Sequence, residues 1–539
     1  MPRASVGFST PRPQRLLNRV SIYFARINQM ANTQLAPPPV NADSISSTRT
    51  IGSNALWTIA GRVLPMLFAV ALTPPLIHTL GPDRWGVFTI ALSLVGMFGI
   101  FDFGIGRAIT KNIAEAIGAG TVSELASQVK TSLLVLLGFG IVGSIVMAVG
   151  IEFWIRTSLK VPSALLPEAR YSLLVLCLIV PWIVVGGGMW GILSAFQESK
   201  AAMIISMPLT ILYYVGPLFV YRLSNSLVAV TALMVILRLA STIFFWQKCQ
   251  QSLPELAHAK IHFPSLKPVF ALSGWMTISN VLWPVLAYID RFTIASLVST
   301  AAVGYYSTAG DLVTRLNLIP TAITGSIFPA IAACKTQDPE RACQLIRRGI
   351  ISITTVLFPI SCVFLVFGTP LLGLWLGKEV SSHIANLLPW FALGLILMAS
   401  DTLIIGVIDS LGYPKINSQF SMVEIFLYVP FMALCAKFAG VQGAAIAWAI
   451  RAFFDLAVRL VMLSGILPSI RRHLLSIFFS PVLAASLGLV CMLPGGTPAK
   501  LVALLISVVV YALLLWSYPL SHQDRTVIQS AIMRRFSRA

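Results

Sequence analysis

The sequence predicts an all-α polytopic membrane protein of about fourteen spans. The expected architecture is two six-helix bundles related by a pseudo-two-fold along the membrane normal, with two further helices at the C-terminal end. Three observations predict it. Of 539 residues, 57% are hydrophobic and 11% charged, with mean hydropathy +0.85, and a water-soluble fold cannot cover that much apolar surface. Apolar segments of roughly the 20 residues that a bilayer-crossing helix needs recur along the chain. Finally, landmarks of the first series of segments return in the second. Gly86 opens GVFTIALSL, and Gly304 opens GYYSTAGDL 218 residues later (304 − 86). Lys130 and Arg348 precede apolar segments at the same offset, Gly191 and Lys200 recur as Gly406 and Lys415, and Arg238 recurs as Arg451. Six spans per repeat bring both halves into the membrane from the same side, a parallel repeat that suits two bundles rocking about a site between them, as in transporters.

The first half places spans near 54–77, 86–108, 130–151, 171–194, 201–222 and 227–247. The second places them near 267–289, 303–332, 349–368, 384–409, 416–437 and 442–463. Two more lie near 474–493 and 499–520. The segment 303–332 is long, and Pro320 or Pro329 is expected to kink it. The domain reading follows: a disordered cytoplasmic tail over 1–50, an N-terminal lobe over 51–247, a cytoplasmic linker over 248–266, a C-terminal lobe over 267–463, two additional helices over 464–520, and a basic cytoplasmic tail over 521–539. Residues 1–50 are rich in Arg and Ser with no acid before Asp43, a composition shared with organelle transit peptides. The favoured reading is a tail or an upstream start, with Met30 as a second candidate start. No loop is long enough for a soluble catalytic domain, so the chain reads as a non-enzyme.

The net charge of +19 does not point to nucleic acid, because the basic residues flank spans rather than forming a soluble basic face. Sorted by the expected topology, Lys and Arg favour one side about threefold, which places both termini in the cytoplasm under the positive-inside rule. An even number of spans is required for that orientation. The seven cysteines show neither CxxC nor metal spacing and read as small apolar residues.

Ionisable groups within spans are costly, at about 2.5–3.5 kcal/mol for Arg or Asp on insertion scales, so each needs a partner or a wet cavity. The first half carries Arg62, Asp102, Arg107 and Arg238, with Arg62 and Arg238 deep in their spans. In the second half, Asp311 and Arg315 are spaced to share a helix face, as are Arg451, Asp455 and Arg459. Asp290 and Arg291 are adjacent and diverge by about 100°, while Asp401, Asp409 and Glu424 have no partner nearby in sequence. Arg62, Arg238, Arg291 and Arg451 are the candidates for binding a pyrophosphate or sugar, since guanidinium forks match phosphate oxygens. Asp102, Arg107, Asp290, Asp401 and Glu424 are the candidates for a gate or for ion coupling. The alternative is that these groups are inter-helix salt bridges, which is the favoured reading for Arg315 and Asp455. Trp57, Trp85, Trp275 and Trp283 read as interfacial anchors, with stacking on sugar rings near the ends of the cavity as the alternative. The triplet Gly186-Gly187-Gly188 reads as a close helix contact or a flexible joint.

Residues 80–109, LGPDRWGVFTIALSLVGMFGIFDFGIGRAI, resemble the Wzx-type flippases of O-antigen and exopolysaccharide. These belong to the multidrug/oligosaccharidyl-lipid/polysaccharide (MOP) exporter superfamily, which includes the MATE-like exporters. The resemblance rests on Leu80, Gly81, Trp85 and Gly86 at the turn between the first two spans, then on Asp102 and Gly104. In the second half it rests on Asp290, followed by Gly304, Tyr305, Tyr306 and Ala309. Arg291 directly after Asp290 is a departure that would neutralise the acid locally. The resemblance implies a flippase of the bacterial inner membrane that carries an undecaprenyl-pyrophosphate-linked oligosaccharide to the periplasmic leaflet by alternating access. Its implied partners are that lipid-linked oligosaccharide, membrane lipids, and a polymerase with other assembly proteins. No cofactor or metal is expected, and a proton or a sodium ion is the candidate driving ion. The alternative within the superfamily is a cation-coupled multidrug exporter, which would favour acidic rather than basic groups in its cavity.

Overall fold

The computed structural model describes residues 48–119, 125–263, 267–334, 338–492 and 497–517, and every described element is helical. The expected tail over 521–539, and all but the last three residues of the expected tail over 1–50, lie outside the described residues. Among the described residues, eleven helical segments are long and apolar enough to cross a membrane. The fourteen expected spans also draw on helices outside that set, so the exact number of spans is a separate matter.

The first half (48–258) begins with α1, Thr48–Leu80, which contains Pro65, Pro74 and Pro75. Gly81, at φ +77, turns the chain into α2, Pro82–Met97. A 3-10 turn, Phe98–Asp102, and two residues of positive φ, Phe103 and Gly104, then break the second span before α3, Ile105–Ala119. The Asp102 carboxylate accepts the Gly106 N–H at 2.9 Å, so it caps the helix that restarts after the break. α4 is Ala126–Thr157. α5, Leu166–Leu176, and α6, Val180–Ala195, make one span through a short 3-10 turn. α7, Ser199–Ser224, packs on α1, α8 is Leu227–Ser252, and α9, Glu255–His258, is a single turn.

The second half (267–517) begins with α10, Lys267–Leu297, and α11, Thr300–Thr314. A 3-10 turn over Arg315–Asn317 separates α11 from α12, Leu318–Cys334. The expected kink is therefore present, and it falls just before Pro320. A proline has no N–H for the carbonyl four residues back and is tolerated in a helix's first turn, so the chain restarts there. This break and the one at Phe98–Asp102 occupy equivalent places in the repeat. α13 is Pro339–Leu376, α14 is Lys378–Ile384 and α15 is Leu388–Ser410. α16, Pro414–Ile466, leaves helical geometry at Ala439 and Gly440, whose φ is +57. Glu424 on its first arm bonds both Arg451 and Arg459 on its second, which requires the arms to lie antiparallel. The two spans expected at 416–437 and 442–463 are these arms. α17, Leu474–Val490, and α18, Thr497–Ser517, complete the described chain.

The repeated glycines meet each other. α2 crosses α11 so closely that a Cβ on Gly86 would lie 1.9 Å from the Thr300 carbonyl oxygen, and one on Gly304 would lie 2.7 Å from the Trp85 ring. Small residues let the two backbones approach. Around this crossing, hydrogen bonds join the halves at one end of the molecule. Trp85 Nε1 donates to Thr308 Oγ1 at 3.0 Å and Thr300 Oγ1 to Asp83 at 3.3 Å. Trp154 Nε1 donates to Ser296 at 2.7 Å, and the Lys160 backbone bonds both Ala295 and Thr300.

Candidate functional site

Beneath that crossing, between the halves, lies a small cavity of about 20 Å³. α1, α2 and α7 contribute Val70, Thr73, Trp85, Thr89, Leu92 and Tyr214, and the second half contributes Thr308, Asp311, Leu312, Arg315 and Trp375. Arg315 is the cation on this wall. The spacing expectation paired it with Asp311, but Asp311 bonds Arg291 of α10 instead. Arg315 opens the 3-10 turn, yet its N–H still bonds the Asp311 carbonyl in α-helical register, so both residues line one wall and it is Arg291, from another helix, that takes the carboxylate. Among the described residues Arg315 makes no ion pair with a carboxylate.

The residues expected to bind pyrophosphate take diverse positions. Arg62 is exposed, without a hydrogen bond or ion pair among the described residues. Arg238 on α8 donates to the carbonyls of Trp182 and Ile183 at 3.4 and 3.2 Å. Gly186 leaves it room, since a Cβ there would lie 2.8 Å from a guanidinium nitrogen. Gly188 packs on Leu133 and Leu136 and Gly191 on Gly106, so the glycine-rich turn is a close helix contact. Arg291 is fully engaged, by Asp311, by Ser93 Oγ at 2.8 Å, and by the Tyr288 ring 5.3 Å away. Arg451 bonds Glu424 at 2.7 Å, Asp455 at 3.3 Å and the Leu286 carbonyl at 3.0 Å, and it lies 4.7 Å over the Tyr428 ring.

The carboxylates expected at a gate or ion site are also bonded. Asp401 is paired with Arg459, whose other nitrogen reaches Glu424 at 3.3 Å. Asp290 accepts from the Tyr306 hydroxyl at 2.6 Å and from the Arg291 N–H at 2.9 Å. Asp409 takes Asn417 Nδ2 at 2.7 Å. Asp102 is the helix cap described above, and Arg107 is exposed. Asp401 and Glu424, which have no partner nearby in sequence, thus find partners elsewhere in the bundle, in one buried network with Asp455, Arg451 and Arg459. Among the described residues no group of His, Cys, Asp and Glu is disposed to hold a metal.

Of the wall tryptophans, the sequence offers Trp85 for the cavity only as the alternative to an interfacial anchor, and it does not single out Trp375. Trp85, expected at the bilayer interface, is 4% exposed and bonded across the halves, whereas Trp283, at 69%, fits the interfacial expectation. Trp375 donates its indole N–H to the Val70 carbonyl of α1 at 3.1 Å. Pro74 is the signal that could have pointed to it, because the carbonyl four residues before a proline needs a donor from elsewhere.

The family model for polysaccharide biosynthesis proteins matches residues 51–335, more than half of the chain. The chain belongs to this family. Within it, the sequence is 26% identical over 418 residues to a Shigella flexneri protein named "Putative O-antigen transporter", a match covering 75% of this chain and 96% of that one. The family member also shares its fold with solved transporters. It superposes on a MATE-family multidrug-resistance transporter of the MOP superfamily, in an inward-facing conformation, with a TM-score of 0.66 at 15% identity, covering 76% of this chain and 96% of that one. For the lipid II flippase MurJ in an inward closed conformation the TM-score is 0.60 at 15% identity, covering 85% and 97%. The family member is thus a multi-pass membrane protein with the MOP-superfamily fold, and these relatives are transporters and flippases rather than enzymes.

Proposed function

We propose that this protein is a flippase for a lipid-linked oligosaccharide, the repeat unit of an O-antigen, capsule or exopolysaccharide. It carries the undecaprenyl-pyrophosphate-linked sugar from the cytoplasmic to the periplasmic leaflet of the bacterial inner membrane, with both termini in the cytoplasm. The observation that carries this reading is Arg315 on the wall of the cavity between the halves, without a carboxylate partner. A pyrophosphate diester brings negative charge that a desolvated guanidinium matches in geometry as well as sign. The walls beside it carry Trp85, Trp375 and Tyr214, whose flat apolar faces are of the kind that stack on sugar rings once the cavity opens. A cationic drug would instead need an available carboxylate, and the one on this wall, Asp311, is engaged by Arg291. Alternating access then amounts to releasing the crossing of α2 and α11 at one end while the halves close at the other.

The test is complementation of a deletion strain that has no paralogue. Wild-type protein restores surface polymer and clears undecaprenyl-linked sugar from the cytoplasmic leaflet. Arg315→Gln, expressed to the same level, leaves the sugar there and the surface bare, and Arg315→Lys restores part of the polymer because it keeps the charge but not the fork. Full polymer with Arg315→Gln would remove the basis for the reading.

A further inference from the structure

Pro74 and Pro75 sit near the end of α1 that meets the second half. In an unbroken helix the amide of residue 74 would donate to the carbonyl of residue 70, but proline has no amide hydrogen, so the Val70 carbonyl is left without its intrahelical donor. Inside a membrane protein such a group must find another partner. It finds one in the other half of the molecule, where Trp375, one residue before the end of α13, donates its indole N–H to Val70 at 3.1 Å. Next to it the chain turns at Gly377, whose φ is +82 and which lies beside His78 of α1. On the same cavity wall, Trp85 of the first half donates its indole N–H to Thr308 of the second. Two tryptophans, one from each half, thus spend their donors across the interface in opposite directions.

We infer that Trp375 and Pro74 form a latch between the halves, in which the second half supplies the hydrogen bond that the first half's proline has removed. The latch makes the shape of α1 depend on the position of α13. When the halves are together at this end, the proline kink is satisfied. When they part, the Val70 carbonyl loses its donor and α1 has none of its own to offer, so the end stays shut until water or a hydroxyl-bearing ligand in the cavity supplies a replacement. Trp85 and Thr308 act beside it as an ordinary side-chain contact, because no proline makes either group dependent on the other. Pro74 therefore sets how firmly this end is held, and Trp375 is the positioning residue through which it does so.

The coupling can be tested without any transport assay, so failure of this inference leaves the substrate reading standing, and the reverse. Hydrogen–deuterium exchange is measured on the full chain in lipid nanodiscs for wild type, Trp375→Phe, Pro74→Ala and the double variant. Trp375→Phe keeps the ring and removes the N–H, and it raises exchange of the amides at 71–80 by about tenfold. Pro74→Ala returns an intrahelical donor to Val70, so Trp375→Phe in that background changes exchange by less than about twofold. If Trp375→Phe alone fails to fold, the double variant folds, because the carbonyl is again satisfied. Unchanged exchange in Trp375→Phe, an equal rise in both backgrounds, or a double variant that fails to fold along with the single one would each overturn the latch.

Discussion

The two halves hold their buried cations in different ways. In the first half Arg238 is surrounded by neutral groups, the carbonyls of Trp182 and Ile183. In the second half Arg291, Arg451 and Arg459 are each bound to carboxylates, and two of these arginines sit in a network with three acids. Carbonyls satisfy a guanidinium's hydrogens without cancelling its charge, whereas carboxylates do both. The first half therefore retains a positive field at Arg238, whereas in the second half carboxylates outnumber the arginines they bind, and Arg315 stands apart where the two halves meet. The repeat conserves the positions of Arg238 and Arg451 but not their surroundings. Duplication evidently fixes where a helix can carry a charge, and the neighbouring helices decide what that charge is free to do.

The sharpest way to break this comparison is to remove one cation from each half. Arg459→Met leaves Asp401 buried without its arginine and Glu424 with Arg451 alone, and losing one partner of a buried pair costs about 3–5 kcal/mol. Arg238→Met leaves two helix carbonyls short of a donor and no orphaned charge, so its cost is about 1 kcal/mol. Thermal unfolding of the purified variants in one detergent reads both. Adding Asp401→Asn to Arg459→Met recovers part of the loss, because a neutral amide replaces the stranded carboxylate. Equal destabilisation by the two single variants would show that the halves do not differ as described.

A contrast of intermediate size concerns the crossing. At Gly86 a methyl group would meet backbone, the Thr300 carbonyl oxygen, whereas at Gly304 it would meet the edge of a side chain, Trp85. Backbone cannot rotate away, so Gly86→Ala costs about 1–3 kcal/mol by overpacking, and Gly304→Ala costs less because the indole can shift. Thermal unfolding ranks the two. Transport should follow the same order, since both substitutions wedge the end where the halves join.

What the sequence made legible was whatever repeats or spans. The apolar segments, the offset of Gly86 and Gly304, and the kink near Pro320 can all be read without coordinates, because each is set by residues adjacent in the chain. The pairing of charges could not be read that way. Asp311 lies four residues from Arg315 and pairs with Arg291, twenty residues away, and Asp401 takes Arg459 from another helix altogether. In a bundle most of the neighbours of a buried side chain come from other spans, so spacing along one helix ranks only a minority of the available partners. Asp102 illustrates the converse. As an acid in a span it reads as a gate candidate, and its oxygen also caps the helix that restarts after the Gly104 turn, a role visible only once the break is seen.

The smallest expected effect on stability carries the most information about the cavity. Pro320→Ala returns a backbone donor at the start of α12 and lets one helix run through the 3-10 turn at Arg315–Asn317. Stability changes little, by about 0.5 kcal/mol in either direction, since the bond gained is offset by repacking of a turn that is already satisfied. Arg315 already lies one α-helical turn on from Asp311 along the same wall, and straightening the turn brings its guanidinium within reach of that carboxylate, where an ion pair forms. The guanidinium that faces the cavity becomes engaged, and Asp311 is shared between two arginines. Surface polymer in the complementation strain should therefore fall towards the level of Arg315→Gln although Arg315 is intact. Adding Asp311→Asn should restore part of it by freeing the guanidinium again. A Pro320→Ala variant that transports like wild type would mean that the break in the helix is a packing feature, and that the charge reaches its ligand without it.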